Sequence, residues 1–397
     1  MFENKTVVLG VSGGIAAYKA LDIVSKLKKK NINVHVIMTE SAKKFVTPLS
    51  FQALSQNYVI SDMFQEPKSW EIQHISLAEK ADLFVIAPAT ANVIGKIAGG
   101  IADDMLTTTV MATKAPVLIA PAMNTNMYEN PIVQRNISFL KSLNYYFVEP
   151  DEGRLACGVV GKGKLADTEK IVDVIEMLLY EPKDLTGKKI LVTAGPTQED
   201  IDPVRYITNR STGKMGYAIA RAARNRGAEV VLISGPTGLK PVEGVELVKV
   251  HSADDMYNEV LKRFDKVDIV IKSAAVADYR PETKSTSKLK KSDDDLSISL
   301  TRNKDILQTL GGQKTNQILV GFAAESDDLI NNALSKISKK NLDMIVANDI
   351  TMEGAGFAVD TNRVKIILRD GRMIESPIMT KEELAHVILD HILTIER

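Results

Sequence analysis

The chain has 397 residues, with 50 Lys plus Arg against 50 Asp plus Glu and a single cysteine. That length accommodates two domains of roughly 180 to 210 residues, each with its own core, and the balanced charge provides no footprint for nucleic acid or an anionic membrane. One cysteine excludes an intramolecular disulfide framework and no apolar run is long enough to span a bilayer, so a soluble, cytoplasmic protein is the expectation.

Thr6–Val11 is a β-branched apolar run that ends in Ser12-Gly13-Gly14, and a helical pattern follows from Ile15 to Lys30. Val34–Met38, Leu83–Ala87 and Pro116–Ala120 read as further buried strands, the last two ending in Ala-Pro-Ala turns. Strands alternating with helices predict a parallel sheet covered on both faces, whose ligands gather at the carboxyl ends of the strands. Ser12, Thr39, Thr90-Ala91-Asn92 and Asn124 all fall just past a predicted strand end. The turn Gly10-Val11-Ser12-Gly13-Gly14 is not G-x-G-x-x-G, and no acidic residue ends the second strand to hold a ribose. A phosphate monoester therefore fits it better than a dinucleotide, although a tight turn without a ligand has similar weight on these residues alone.

A helix is expected from Thr168 to Tyr180, and the polar, proline-bearing Glu181–Asp184 suits a boundary. The domains are set at 1–182 and 188–397, joined by a linker at 183–187. The βα pattern then restarts with Lys189–Thr193, Glu229–Ser234, Asp268–Ile271, Gln317–Gly321 and Asp343–Val346. Arg363–Arg369 and Arg372–Glu375 read as a hairpin with a type I′ turn at Asp370-Gly371, before a last helix from Thr380.

Pro121-Ala122-Met123-Asn124-Thr125-Asn126-Met127-Tyr128 supplies an amide and two thioethers, and Leu155-Ala156-Cys157-Gly158 presents the only cysteine in a glycine-flanked segment. An amide that grips a carboxylate and a thiol that gives up a proton suit carboxyl chemistry. Taken singly, His74 and Cys157 are more often ordinary packed residues, and Asn124 an ordinary turn residue. Together with the Ser-Gly-Gly turn they resemble the flavin-dependent cysteine decarboxylases, in particular those acting on phosphopantothenoylcysteine. The resemblance implies a flavodoxin-like doubly wound sheet with FMN held by Gly10, Ser12, Gly13, Gly14, Thr39, Pro88, Ala89, Thr90 and Asn92. It implies His74 as base for oxidation of the cysteinyl thiol, Asn124 as the carboxylate clamp and Cys157 as the acid that protonates the enethiolate carbon. Tyr128 stands where the family commonly has Trp, and Lys164 where it commonly has Arg.

In the second half, Asn209-Arg210-Ser211-Thr212-Gly213-Lys214 opens a predicted helix over 212–226, again a phosphate cradle in principle. Ala274–Arg280 follows a buried strand, and Glu282–Asp295 carries Lys288-Leu289-Lys290-Lys291. Such a run is commonly a solvated mobile loop; a flap lysine can also neutralise developing phosphate charge. Asp278 suits Mg²⁺ carried on a nucleotide. These segments, with Asn303–Leu307, Val320–Glu325, Lys339–Asp343 and Ala347–Asp349, resemble phosphopantothenate–cysteine ligase of the CTP-dependent type. That resemblance implies a Rossmann-like α/β domain and nucleotide contacts from Asp278, Lys288, Lys304, Asp305, Ile306, Leu307, Phe322, Lys336 and Lys340. Lys288 would also serve catalysis, and Asn209 the attack by cysteine. Lys304 replaces a common Pro. The family implies decarboxylase trimers and paired ligase domains. Two other readings are weighed, a flavin module without decarboxylase activity and a nicotinamide reductase joined to an electron carrier. Asn124 with Cys157 speaks against the first, and the missing acidic ribose anchors against the second.

Overall fold

The computed structural model describes residues 2–64, 71–154, 158, 160–290, 296–325, 329–349 and 359–395. The chain divides into two compact units, Met1–Tyr180 and Glu181–Arg397.

In the first unit five strands lie side by side in the order Asn33–Met38, Thr6–Val11, Leu83–Ala89, Val117–Pro121 and Tyr146–Phe147, all parallel. In chain order this is 2-1-3-4-5, the flavodoxin-like winding, in which connections leave the first and third strands in opposite directions and open a crevice between them. The strands are apolar throughout because both faces are covered. One face packs against the helices Ala20–Lys29 and Thr168–Leu179 through Val7, Leu9, Ile23, Leu27 and Ile175. The other packs against Gln73–Lys80, Ala91–Ala98 and Met105–Ala112 through Val8, Phe84, Leu77, Ile94 and Leu106. The helical pattern predicted over 15–30 begins as a 3₁₀ turn, Ile15–Lys19, before the α-helix.

In the second unit eight strands form one sheet in the order Glu246–Lys249, Glu229–Ser234, Lys189–Ala194, Ile269–Lys272, Ile318–Glu325, Met344–Asp349, Val364–Leu368 and Met373–Glu375. The first six are parallel, and the last two are added antiparallel. Numbered along the chain the parallel part reads 3-2-1-4-5-6, the Rossmann order, with its switch point between Lys189–Ala194 and Ile269–Lys272. Helices Lys214–Asn225 and Lys381–Leu393 cover one face, while Ala253–Phe264 and Ile306–Gln313 cover the other. The last helix starts where Thr380 predicts it, with a capping box between Thr380 and Glu383.

The terminal hairpin departs from the sequence expectation. Leu368 N–H donates to the Arg372 carbonyl at 2.9 Å, so the loop has three residues, and of its members Gly371 carries the positive φ of 92°. A type I′ turn needs positive φ at both central residues; a three-residue loop places glycine alone in the left-handed position.

Candidate active sites

The crevice at the switch point of the first sheet is a cavity of about 420 Å³ lined by Ser12, Gly13, Thr39, Thr90 and Asn92, together with Lys96, Asp104 and Met127. Ser12, buried, ties its two walls together. Its Oγ donates to the Pro88 carbonyl at 2.7 Å and accepts from the Thr90 N–H at 3.0 Å. Thr90 in turn caps the helix Ala91–Ala98, so the amino end of that helix faces the crevice, where backbone N–H groups favour an anion. Gly13 has to lack a side chain, since a Cβ there would lie 2.3 Å from the Cβ of Ser41 on the opposite wall. Gly10 lies behind the wall against Leu106, Gly14 caps the 3₁₀ turn, and Ala89 is buried and accepts the Ala122 N–H at 2.9 Å. A narrow slot with small residues, hydroxyls and a helix amino end fits a flat phosphorylated ring system such as FMN.

Asn124 caps the short helix Thr125–Glu129, with Oδ1 accepting the Asn126 N–H at 2.9 Å. Against it runs an antiparallel ribbon, Asp151–Arg154 with Val160–Lys164, which the sequence does not announce as strands. The Met123 N–H donates to the Gly163 carbonyl at 2.9 Å, and a Cβ on Gly163 would lie 2.3 Å from the Met123 carbonyl oxygen. Glycine is required there by the close approach and by its φ of 146°. The ribbon strands flank the segment 155–159. Cys157 itself lies outside the described residues. His74 is half-buried on the helix Gln73–Lys80, and neither it nor Asn124 lines the cavity.

Glu149 joins the pieces around Asn124. It accepts from the Tyr128 hydroxyl at 2.5 Å, Lys141 at 2.7 Å and Lys162 at 3.0 Å, and so links the helix Thr125–Glu129 to the ribbon. Partial burial opposes ionisation, but the bonds from Lys141, Tyr128 and Lys162 outweigh it and hold the carboxyl at about 2. Burial and the same bond push the Tyr128 phenol up. A depressed carboxyl stabilises the fold above its unfolded value of 4.5, and that contribution is lost as pH falls towards 2. Thermal melting of the first unit, followed by flavin fluorescence, is therefore expected to weaken more steeply between those limits in the wild type than in Glu149→Gln. Parallel acid profiles would remove Glu149 from the fold's acid response.

The second site is larger. A cavity of about 850 Å³ opens at the switch point of the Rossmann-ordered sheet. Asn209, Asp278, Leu307, Phe322, Lys336 and Lys340 line it, with the glycine-rich turn Ser211–Gly213 on one side. The Asn209 amide donates to the Ala275 carbonyl at 3.1 Å, joining that turn to the segment after Ile269–Lys272. Asp305 caps the helix Ile306–Gln313 and pairs with Lys340 at 2.7 Å; burial works against its ionisation, but Lys340 and the Gln308 N–H keep its carboxyl below the ordinary range. Ile306 is a core residue. Lys304 does not line the cavity; its ammonium lies 3.2 Å from Asp254 and 4.7 Å from the Tyr257 ring centre. Lys288 is exposed and also outside the cavity wall. Its neighbour is anchored rather than loose: Leu289 N–H donates to buried Asp202 at 3.1 Å, and its carbonyl accepts from Arg205 at 3.0 Å. Among the described residues no group of three or more His, Cys, Asp or Glu is placed to hold a metal. Lys272, on the cavity wall, was missed by sequence reading. A lysine closing the apolar strand Ile269–Lys272 was the signal for it.

Residues 1–180 match the family model described as Flavoprotein, and 185–395 that of the DNA/pantothenate metabolism flavoprotein C-terminal domain. The coenzyme A biosynthesis bifunctional protein CoaBC of Bacillus subtilis is 54% identical over 100% of this chain and 98% of its own length. The chain belongs to this bifunctional family. The member from Borreliella burgdorferi is 45% identical over 98% of this chain and 99% of its own, and that from Escherichia coli 43% over 98% and 97%. As a family member the chain is a bifunctional enzyme of coenzyme A biosynthesis, with a flavoprotein decarboxylase unit followed by a ligase unit. No helix among the described residues is long and apolar enough to cross a membrane.

Proposed function

We propose that the second unit joins cysteine to 4′-phosphopantothenate at the expense of CTP, and that the first unit converts the product to 4′-phosphopantetheine. The observation that carries the first step is the cavity at the second switch point, where Lys336, Lys340 and Asp278 share one wall system with the glycine-rich turn. The substrate carboxylate attacks the α-phosphorus, pyrophosphate leaves, and the cysteine amine then displaces CMP from the acyl-cytidylate. Asp278 is the one carboxylate among the described residues of that wall and would hold Mg²⁺ together with phosphate oxygens. Lys288 neutralises charge in cytidylate formation, and Asn209 orients the activated carbonyl. Leu307 and Phe322 form further nucleotide contacts, and Asp305 and Lys340 reach it as a pair; Lys304 and Ile306 stand behind that wall and support it.

In the first unit the slot at Ser12, Gly13, Thr39, Thr90 and Asn92, with Gly10, Gly14, Pro88 and Ala89 behind it, holds FMN. Bound there, FMN supplies a two-electron oxidation and its reversal. His74 takes the proton lost when the cysteinyl thiol becomes a thioaldehyde, Asn124 holds the carboxylate that departs as carbon dioxide, and Cys157 protonates the resulting enethiolate carbon. A thiol of pKa about 8.5 still carries its proton near neutrality. His74 and Asn124 stand outside the slot of one chain, and Phe45, Leu49 and Ile72 of the same unit are 51%, 71% and 66% exposed. Large exposed apolar side chains suit a site completed between copies, as decarboxylase trimers with paired ligase units. The single cysteine suits a reducing, cytoplasmic setting.

Incubation with 4′-phosphopantothenate, cysteine, CTP and Mg²⁺ tests the scheme by mass. Phosphopantetheine, CMP and pyrophosphate are the products expected. Omitting CTP should stop amide formation, and turnover undiminished without it would sink the ligase assignment. A monomeric mass by light scattering would remove the assembly.

A further inference from the structure

Lys272 is the last residue of the central strand Ile269–Lys272, paired in register with Thr193 on one side and Gly321 on the other. Its side chain therefore leaves the sheet at the switch point and lines the large cavity. It is half-buried, and among the described residues it has no hydrogen bond or ion pair. The charged groups that act on it most are Lys336 and Lys340, and Asp278 and Asp305, while Arg210, Lys214 and Lys381 line the same cavity. Asp305 is already engaged by Lys340 at 2.7 Å. Five lysines, Lys214, Lys272, Lys336, Lys340 and Lys381, thus line a cavity whose carboxylate among the described residues is Asp278. A partly desolvated cluster in which cations outnumber carboxylates is costly, and a polyanion seated in the cavity offsets that cost.

We propose that Lys272 binds the triphosphate of the nucleotide and completes, with Lys336 and Lys340, a cradle of three ammonium groups. This rests on the nucleotide reading given above. Burial, reinforced by Lys340, lowers the Lys272 ammonium to about 8, within reach of ordinary assay conditions. Below that value the cradle holds three charges; above it one is lost. The terminal phosphate of a nucleotide has finished titrating by then, its pKa being about 6.

The test is calorimetric titration of the full-length protein with CTP and Mg²⁺, using wild type, Lys272→Met and Lys272→Arg. Methionine keeps the length of the stem and removes a desolvated charge, so the melting temperature should hold or rise. Its Kd for CTP should rise about 10- to 100-fold, the range for a charge-assisted phosphate contact. The KM for cysteine and the decarboxylase rate should stay within about twofold, since neither step needs this contact. Wild-type affinity should fall as pH rises through 8; Lys272→Met should be flat over the same range, and Lys272→Arg should bind without the alkaline loss. A Lys272→Met protein that binds CTP as wild type does overturns the proposal. So does a lower melting temperature with an unchanged Kd, which marks a structural lysine, or a loss confined to the KM for phosphopantothenate. If wild type itself binds no CTP, the nucleotide reading fails and this inference falls with it.

Discussion

Asn124→Asp is expected to lower decarboxylation by about 100-fold or more while the flavin spectrum and ligase rate stay at wild-type values. The structure makes this substitution a clean one. Oδ1 of Asn124 accepts the Asn126 N–H at 2.9 Å, and an aspartate accepts the same bond as a helix cap of equal quality. The helix Thr125–Glu129 and the ribbon docked on Met123 should therefore keep their places. What changes is the other end of the side chain, where an amide N–H₂ gives way to a second negative oxygen that, in the role proposed for Asn124, would face the substrate carboxylate. Like charges across a short, partly desolvated gap repel by several kcal/mol at an effective dielectric of about 20. Turnover of phosphopantothenoylcysteine within about threefold of wild type would show that Asn124 does not meet the carboxylate.

The ligase should split into two halves under substitution. Lys288→Gln keeps length and polarity but removes the charge, so pyrophosphate release without cysteine should fall by about 100-fold. The anchor of Leu289 on Asp202 and Arg205 uses only backbone groups of the loop and survives the change. Asn209→Asp should leave pyrophosphate release closer to normal and stall amide formation. The amide of Asn209 donates to the Ala275 carbonyl, and a carboxylate there faces that carbonyl with no proton to offer. The acceptor segment after Ile269–Lys272 then shifts, and the activated carbonyl is misaligned for the amine. Equal loss of both partial reactions in both variants would refute the division of roles.

Much of this architecture was legible in the residues. Alternating apolar runs and turns placed nearly every central strand, because a doubly wound sheet buries its strands on both faces and leaves a continuous apolar signature. Thr380 marked the last helix because its hydroxyl does a cap's work. The ribbon Asp151–Arg154 with Val160–Lys164 carried no such signal: it is half-exposed, and its glycines serve a contact with Met123 and Thr125 that is distant in the chain. The turn at Asp370-Gly371 misled because Asp-Gly suits a two-residue loop and equally a three-residue loop with glycine in the left-handed position. At the sites, the glycine and hydroxyl residues that line the crevice of the first sheet were readable from their place after strands. Lys304 was not, since its pairing with Asp254 and Tyr257 depends on a helix elsewhere in the unit. Lys272 left only the faint signal of one charged residue closing an apolar strand, whose depth shows when neighbouring strands are in register.

The hold of Asp202 and Arg205 on Leu289 bears on how this loop tolerates changes of length. The chain before it is fixed at further points, with Glu282 N–H donating to the Ser299 carbonyl at 3.0 Å and Ser285 N–H to the Ile201 carbonyl at 3.0 Å. One residue inserted between 285 and 289 would slide Lys288 past its anchor and turn its ammonium to another side. The same residue inserted after Lys290 leaves the spacing from Ser285 to Leu289, and with it both of their bonds, unchanged. Changes of length that keep the spacing from Asp278 to Leu289 therefore leave Lys288 on its anchor.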